Sequence, residues 1–408
     1  MMNANQEHPA RPRILFVAEA VTLAHVMRPI QLARSLDAAR FDIRLACHPR
    51  YLKLFPDLAF EHIGIDSIAS EMFMRALAKG QRVYSAQQLE RYVEEDLSVI
   101  EAFKPDLVIG DFRLSLAVSA PLAGVPYCTV TNAYWSPYAS GCTPIPEHPL
   151  AGLLGAGAAQ HLFDWVRPLI FAWHARPLNQ IRRRHGLPSL GHNLRRSYTW
   201  ADHVLYADIP ELTELHNPPA NHHFLGPVLW SPSIPLPPWW EELPGERPIV
   251  YLNLGSSGRH DLLPLALEAL SDQDVTVIAA TLGRPLDTPV PDNAFLVDYL
   301  PGDAAAARAS LVICNGGSPA TQQALAMGVP VMGIASNMDQ HMNMASIERF
   351  GAGRLLRSEQ VTRQSVKDAV SATLEQAGYK AQAVQVKALY QRYPVSELFP
   401  ALIEDLLA

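Results

Sequence analysis

Residues 311–353 read LVICNGGSPATQQALAMGVPVMGIASNMDQHMNMASIERFGAG. The first four form an apolar run of strand type. Asn315, Gly316 and Gly317 break it, and Ser318 and Pro319 suit a helix start, the serine as N-cap and the proline where no N–H is needed. Residues 320–327 are strong helix formers, and Gly328 ends the run. A second strand over 329–334 leads to Asn337 and to another helix starting near Asp339. The order is strand, glycine turn, helix, strand, loop, helix. Glycines let a ligand approach the backbone, and a helix N-terminus offers free N–H groups with partial positive charge. The stretch therefore reads as a phosphate seat, with Asp339 and Gln340 nearby at the next strand end.

The same residues resemble the donor-binding signature of family 1 glycosyltransferases, the UDP-glycosyltransferase and macrolide-glycosyltransferase group, written HGGxGTxxEAL, GVP, DQxxNA and GAG. The matching positions are Asn315-Gly316-Gly317, Gln323-Ala324-Leu325, Gly328-Val329-Pro330, Asp339-Gln340, Asn343 and Gly351-Ala352-Gly353. The family's His is Asn315 here, its Gly-Thr pair is Pro319-Ala320, and its Glu is Gln323. The resemblance implies a GT-B fold: α/β, two Rossmann-like domains facing across a cleft, with a C-terminal helix crossing back to the first.

Nearer the N-terminus, residues 14–18 (ILFVA) form a strand, Val26, Ile30, Leu32, Ala33 and Leu36 mark a helix, and residues 41–47 alternate as a strand. Strand–helix–strand suggests a parallel sheet, and no GxGxxG dinucleotide fingerprint follows the first strand. Ala24-His25-Val26, with residues 29–36 after it, resembles the family's GHxxPxLxLAxxL, which implies that His25 is the catalytic base. Taken alone, a histidine at a helix start reads as readily as a surface or capping residue. Residues 104–111 (KPDLVIGD) resemble the family's PDLVxxD, which implies that Asp111 is the second catalytic residue, although an acid at a strand end can also cap a helix. Helices are expected over 71–104 and 115–123, and a strand over 127–130.

Residues 151–185 hold two apolar stretches with Phe163, Trp165, Phe171 and Trp173, interrupted by Asp164, Arg167 and His174. They read either as core helices or as walls of an apolar cleft; the resemblance implies acceptor contacts at Tyr134, Trp135, Phe163 and Trp173. Arg182-Arg183-Arg184, with Arg195 and Arg196, reads as a solvated face rather than a lipid-headgroup site. Seven prolines between residues 224 and 248 stiffen the chain as a linker. The expected divisions are an acceptor domain over 1–226, a linker over 227–248, a donor domain over 249–392 and a returning helix over 393–408. In the donor domain, Gly255-Ser256-Ser257-Gly258 turns into a helix over 261–270, and the resemblance puts Ser256 on the donor phosphates. Tyr299-Leu300-Pro301-Gly302 stands where the family has W-x-P-Q, which implies that Tyr299 stacks on the base and that Gly302 lacks an amide the family has there. Asp272-Gln273-Asp274 has the form of a metal-binding DxD, but it precedes a strand, at the edge away from the ligand side, and reads as a surface turn.

With 408 residues, 49% of them hydrophobic, the chain can fill two cores. A net charge of -7 without a long basic run argues against a nucleic-acid partner. Cys47, Cys128, Cys142 and Cys314 form no CxxC pair and read as reduced thiols of a cytoplasmic protein. The opening MMNANQEHPARPR has no apolar core of a signal peptide, and no stretch is apolar enough for a membrane span. The resemblance implies an inverting, metal-independent transfer of sugar from a nucleotide diphosphate sugar, expected to be a UDP-sugar, to a hydroxyl of a hydrophobic or lipid-like acceptor. No cofactor is expected, and a peripheral membrane contact is compatible with such an acceptor. In this scheme Gly316, Gly317 and Ser318 hold the leaving diphosphate, Thr321 stands in for the missing hydroxyl, Gln323 meets the ribose, and Asp339 and Gln340 bind sugar hydroxyls. Two other readings stand beside it: a non-catalytic partner protein with the same shell, suggested by the altered donor positions, and a nucleotide-sugar epimerase.

Overall fold

Alternating apolar strands and amphipathic helices bury both faces of each strand, so the strands gather into parallel sheets covered by helices. The computed structural model describes residues 11–141, 143–147, 155–255 and 257–408. The first sheet holds β1 (Arg13–Ala18), β2 (Asp42–Cys47), β3 (Glu61–Gly64), β4 (Leu107–Asp111), β5 (Tyr127–Thr131), β6 (His203–Tyr206) and β7 (His222–Phe224). Its helices are α1 (Leu23–Ser35), α2 (Ser70–Ala78), α3 (Ala86–Phe103), α4 (Leu116–Ala123), α5 (Ala156–Arg184) and α6 (Leu194–Tyr198). The second sheet holds β8 (Ile249–Asn253), β9 (Thr276–Ala280), β10 (Ala294–Val297), β11 (Leu311–Cys314), β12 (Val331–Ala335) and β13 (Gly353–Arg357). With it go α7 (Leu263–Leu270), α8 (Gly302–Arg308), α9 (Ser318–Ala326), α10 (Met338–Phe350), α11 (Arg363–Glu375), α12 (Ala377–Tyr390) and α13 (Val395–Leu407).

The strand orders are β3-β2-β1-β4-β5-β6-β7 and β10-β9-β8-β11-β12-β13. All strands are parallel, and in both sheets the strand order reverses once, between β1 and β4 and between β8 and β11. The loops leaving such a pair diverge and open a crevice at the C-terminal strand ends. Two crevices result, and they face each other. α13 crosses back from the second sheet and buries Phe399 and Ile403 in the first core, with the Phe399 ring 6.3 Å from Phe16. This is the two-domain α/β arrangement that the sequence resemblance implied.

Several local expectations need correction. The helix expected over 71–104 is two helices, because the segment between α2 and α3 turns at Gly80, whose φ of 59° suits glycine. Over the described part of 151–185 there is one long helix, α5, which tolerates Pro168 and Pro177 inside it. Ser318 is not the N-cap of α9: Gly317 holds that place, and Ser318 is the first helical residue. Arg182 does not belong to a solvated face. It is buried, stacks over Trp200 at 4.3 Å and donates to the Pro188 carbonyl at 2.7 Å. Asp272 pairs with Lys367, and Asp274 with Arg247 at 2.9 Å, on the outer surface. Cys47, Cys128 and Cys314 are buried free thiols, each pushed up to about 12 by burial; Cys142 lies outside the described residues.

Candidate active site

α1 begins just past β1, which carries His25 to the first crevice, and β4 ends there at Asp111. His25 Nδ1 lies 2.7 Å from Asp111 Oδ1. A buried carboxylate at that distance fixes the imidazole with its hydrogen on Nδ1 and its lone pair on Nε2. Asp111 caps no helix. Its other partner is Arg28, one helical turn after His25 and on the same face of α1. Arg28 Nε donates to Asp111 Oδ2 at 2.8 Å and Nη2 to Oδ1 at 2.9 Å, a two-pronged grip between buried groups. Burial works against the Arg28 charge, but Asp111 outweighs it, and the guanidinium pKa is raised. The Phe112 ring stacks on His25 at 4.7 Å and 16°. To reach that position Phe112 takes a φ of 58°, where a bulky residue costs about 1–3 kcal/mol.

From Arg28 a buried polar chain runs into the second domain. Arg28 Nη1 donates to Asn132 Oδ1 at 2.8 Å, and the Asn132 amide donates to Asp208 at 3.1 and 3.2 Å. From the other side, Gln322 of α9 donates to Asp208 at 3.2 Å and to the Ala207 carbonyl at 2.7 Å. The Ser318 hydroxyl donates to Asn132 Oδ1 at 3.4 Å. Burial pushes the Asp208 carboxyl up to about 7, against the Ala133 N–H, the Asn132 amide and the Arg28 charge, all of which favour the ionised form. Arg28, Phe112, Asn132, Asp208 and Gln322 were not singled out from sequence. Only Arg28 left a signal there: a cation three residues after His25 on a helix aimed at an acid.

The two crevices merge into one cavity of about 770 Å³. His25, Asp111, Trp135, Phe163 and Trp173 line it from the first domain, and Ser257, Gly317, Ser318, Asp339 and Gln340 from the second. The Trp135 indole N–H donates to Asp339 Oδ1 at 2.7 Å, which latches the two walls together. The lone pairs left on the Asp339 carboxylate can still accept from a hydroxyl. Away from this polar zone the cavity runs between α2 and α5, where Phe73, Leu77, Phe163 and Ile170 make it apolar.

Other expected donor residues turn inward. Asn315 is buried; its amide donates to Ser257 Oγ at 3.0 Å and its oxygen accepts the Gly317 N–H at 3.0 Å, so it clamps two loops. The Gly316 N–H goes to Cys314 Sγ at 3.3 Å, and a Cβ on Gly316, at φ 78°, would stand 2.7 Å from Met344 Cγ. Gly316 and Gly317 thus shape the loop but spend their N–H groups inside it. Ser318, at the head of α9, lines the cavity beside Gly317 and Ser257, with its hydroxyl on Asn132 Oδ1. Thr321 is buried and hydrogen-bonds to Gly317, Ser318 and Asn343, not to the cavity. The Gln323 amide donates to the Trp230 carbonyl, and its oxygen fills the space beside Gly302, where a Cβ would come within 2.5 Å. The changes at Gly302 and Gln323 are therefore one paired adjustment. Gln340 lines the cavity but is held in a capping box with Asn337, its oxygen accepting the Ser336 N–H at 2.9 Å. Tyr134 and Leu300 are buried outside the cavity lining, and Tyr299 lies on the surface with its hydroxyl on the Leu282 carbonyl at 3.3 Å. Ser256 lies outside the described residues.

Residues 264–404 match a family described as Erythromycin biosynthesis protein CIII-like, C-terminal domain. A PGL/p-HBAD biosynthesis rhamnosyltransferase of Mycobacterium bovis (strain BCG / Pasteur 1173P2) is 52% identical over 397 residues, 97% of this chain and 88% of that one. An inactive PGL/p-HBAD biosynthesis glycosyltransferase of the same strain is 49% identical over 66% of this chain and 74% of its own length. Among solved structures, spinosyn rhamnosyltransferase SpnG superposes with a TM-score of 0.69 at 20% identity, covering 96% of this chain and 99% of its own.

Proposed function

Because the chain belongs to the glycosyltransferase family of these mycobacterial PGL/p-HBAD biosynthesis proteins, we propose that it transfers a sugar from a nucleotide diphosphate sugar to a hydroxyl of an apolar acceptor, inverting the anomeric centre. One observation carries the reading: His25, held by Asp111, and the head of α9 line a single cavity from opposite domains. The acceptor lies in the apolar arm between α2 and α5 and presents its hydroxyl to His25 Nε2. As the oxygen attacks the anomeric carbon, His25 takes its proton, and Asp111 stabilises the imidazolium. The sugar–phosphate bond breaks on the opposite face. The nucleoside diphosphate leaves onto the head of α9 at Ser318, where the helix dipole favours negative charge. Asp339 orients the sugar through its hydroxyls. The reaction as proposed is metal-independent, with the nucleotide sugar as co-substrate.

Rhamnose is the first sugar to test, since the 52% relative is named for it. UDP- and TDP-linked sugars should be offered side by side with a panel of phenolic and aliphatic alcohols, and the product anomer read by NMR. His25→Ala should lower kcat by roughly 10²–10⁴ with donor binding intact. Full turnover in that variant removes the base assignment, and a retained anomeric configuration removes the single displacement. A non-catalytic role is a second reading, favoured by the inactive relative and the altered donor positions. It predicts no heat of binding for UDP or TDP by calorimetry at millimolar concentration.

A further inference from the structure

The three most exposed large apolar side chains among the described residues are Trp165 at 78%, Leu169 at 71% and Met72 at 62%. All three sit on α2 and α5, the two helices that wall the apolar arm of the cavity. Leu162 and Trp173, also exposed, both line the cavity and face outward, so the surface patch and the cavity lining are continuous at the mouth. Along α5, residues 162, 165, 168, 169, 172 and 173 make one outward apolar stripe about 16 Å long. Past it, on the outer side of the same helix, come Arg176 and Arg183; α2 adds Arg75, and Lys79 caps its C-terminal end. All four are exposed, and none has an ion pair among the described residues, unlike the neighbouring Arg167 and Arg184. Glu71 is the exposed acid on α2, and Asp164 on α5 is paired with Arg167. This cationic end stands on a chain of net charge -7, so it is a local feature rather than a reflection of composition.

A tryptophan, leucines and a methionine with unpaired cations at one end match one partner chemistry: an anionic lipid surface. The indole and the alkyl groups enter the headgroup–acyl boundary, while Arg176, Arg183 and Lys79 reach the phosphates. A second copy of the chain fits less well, since a twofold interface would set this cationic end against itself. We propose that α2 and α5 seat the protein peripherally on an anionic membrane, with the cavity mouth facing the lipid, so that an acceptor with a long apolar part enters sideways without crossing water. That delivery step rests on the acceptor assignment above; the seating does not.

The test uses the full chain and sucrose-loaded vesicles, with neither donor nor acceptor present. Phosphatidylcholine vesicles mixed with phosphatidylglycerol should sediment the protein, and phosphatidylcholine alone should do so far less. Arg176→Gln and Arg183→Gln should each weaken binding about fivefold. The double variant Met72→Ser, Trp165→Ser should weaken it roughly tenfold or more. Neither Met72 nor Trp165 lines the cavity, so transfer to a water-soluble acceptor without vesicles should be unchanged. Wild-type protein that ignores the anionic vesicles, or a double variant that binds them as well as wild type, overturns the proposal. So does a dimer in sedimentation velocity that the double variant dissolves. Because no sugar is transferred in the vesicle assay, its failure leaves the glycosyltransferase reading standing.

Discussion

On the β1–β4 wall the imidazole of His25 keeps a face toward the cavity, whereas on the β8–β11 wall Asn315, Thr321 and Gln323 are turned into the protein. The residues on both walls were drawn from the same kind of pattern match. What separates them is what surrounds each loop. Asp111 ends a strand with no helix to cap, and Arg28 and His25 approach it from one helix face, so its oxygens are committed to the site. The 315–317 loop is packed under Ser257 and Met344, and a buried loop must first satisfy its own polar groups. A polar residue in a glycine loop is thus as apt to build the seat as to touch what sits in it.

The sharpest way to break this contrast is Asp111→Asn. It should cost transfer roughly 10²–10⁴, because the imidazole loses its tautomer anchor. It also leaves Arg28 buried against a neutral amide, so unfolding free energy should fall by about 3 kcal/mol or more in urea titration. An Asp111→Asn protein with full stability would mean that Arg28 is not held as described. Next in size is Asn315→Ala. It orphans the Gly317 N–H and a Ser257 partner, which should cost about 1–3 kcal/mol of stability and raise donor KM more than it lowers kcat. An equal fall in kcat and kcat/KM would instead put Asn315 on the reacting groups. Trp135→Phe keeps the ring but cuts the bond to Asp339; donor KM should rise roughly tenfold, the scale of one hydrogen bond to a charged group. Unchanged KM would remove the latch.

The two sheets were legible from local rules, apolar strand runs and turns that need glycine, whereas His25 and Asp111 were singled out only through the family resemblance, since alone each reads as a surface or capping residue. The sequence did not carry the chain from Arg28 through Asn132 and Asp208 to Gln322, whose members lie in α1, after β5, after β6 and in α9. Gln322 and Gln323 are adjacent and chemically identical, yet one reaches Asp208 and the other Trp230. Helix phase against a second domain decides that, and no spacing within 311–353 encodes it. Phe112 was equally hidden, since its left-handed backbone is not marked by a glycine.

Asp208 offers the smallest and most direct probe of how the walls are joined. Its carboxyl, pushed up to about 7, lies above the ordinary range the unfolded chain would show. The folded state therefore holds this proton over pH values where the unfolded state has lost it. The resulting stability is fully present below about pH 4 and is lost as pH rises through about 7. Glu19 and Asp96, also raised by burial, slope the same way, so the wild-type curve alone cannot isolate the effect. Asp208→Asn removes the titration but keeps an acceptor for the Ala133 N–H. It should lower stability at pH 5 more than at pH 8, so the two melting curves converge as pH rises. The difference between them cannot change by more than about 1.4 kcal/mol per pH unit. Parallel curves would mean that the three N–H donors around Asp208 keep it ionised throughout, and that the link between α1 and α9 carries a fixed charge rather than a proton.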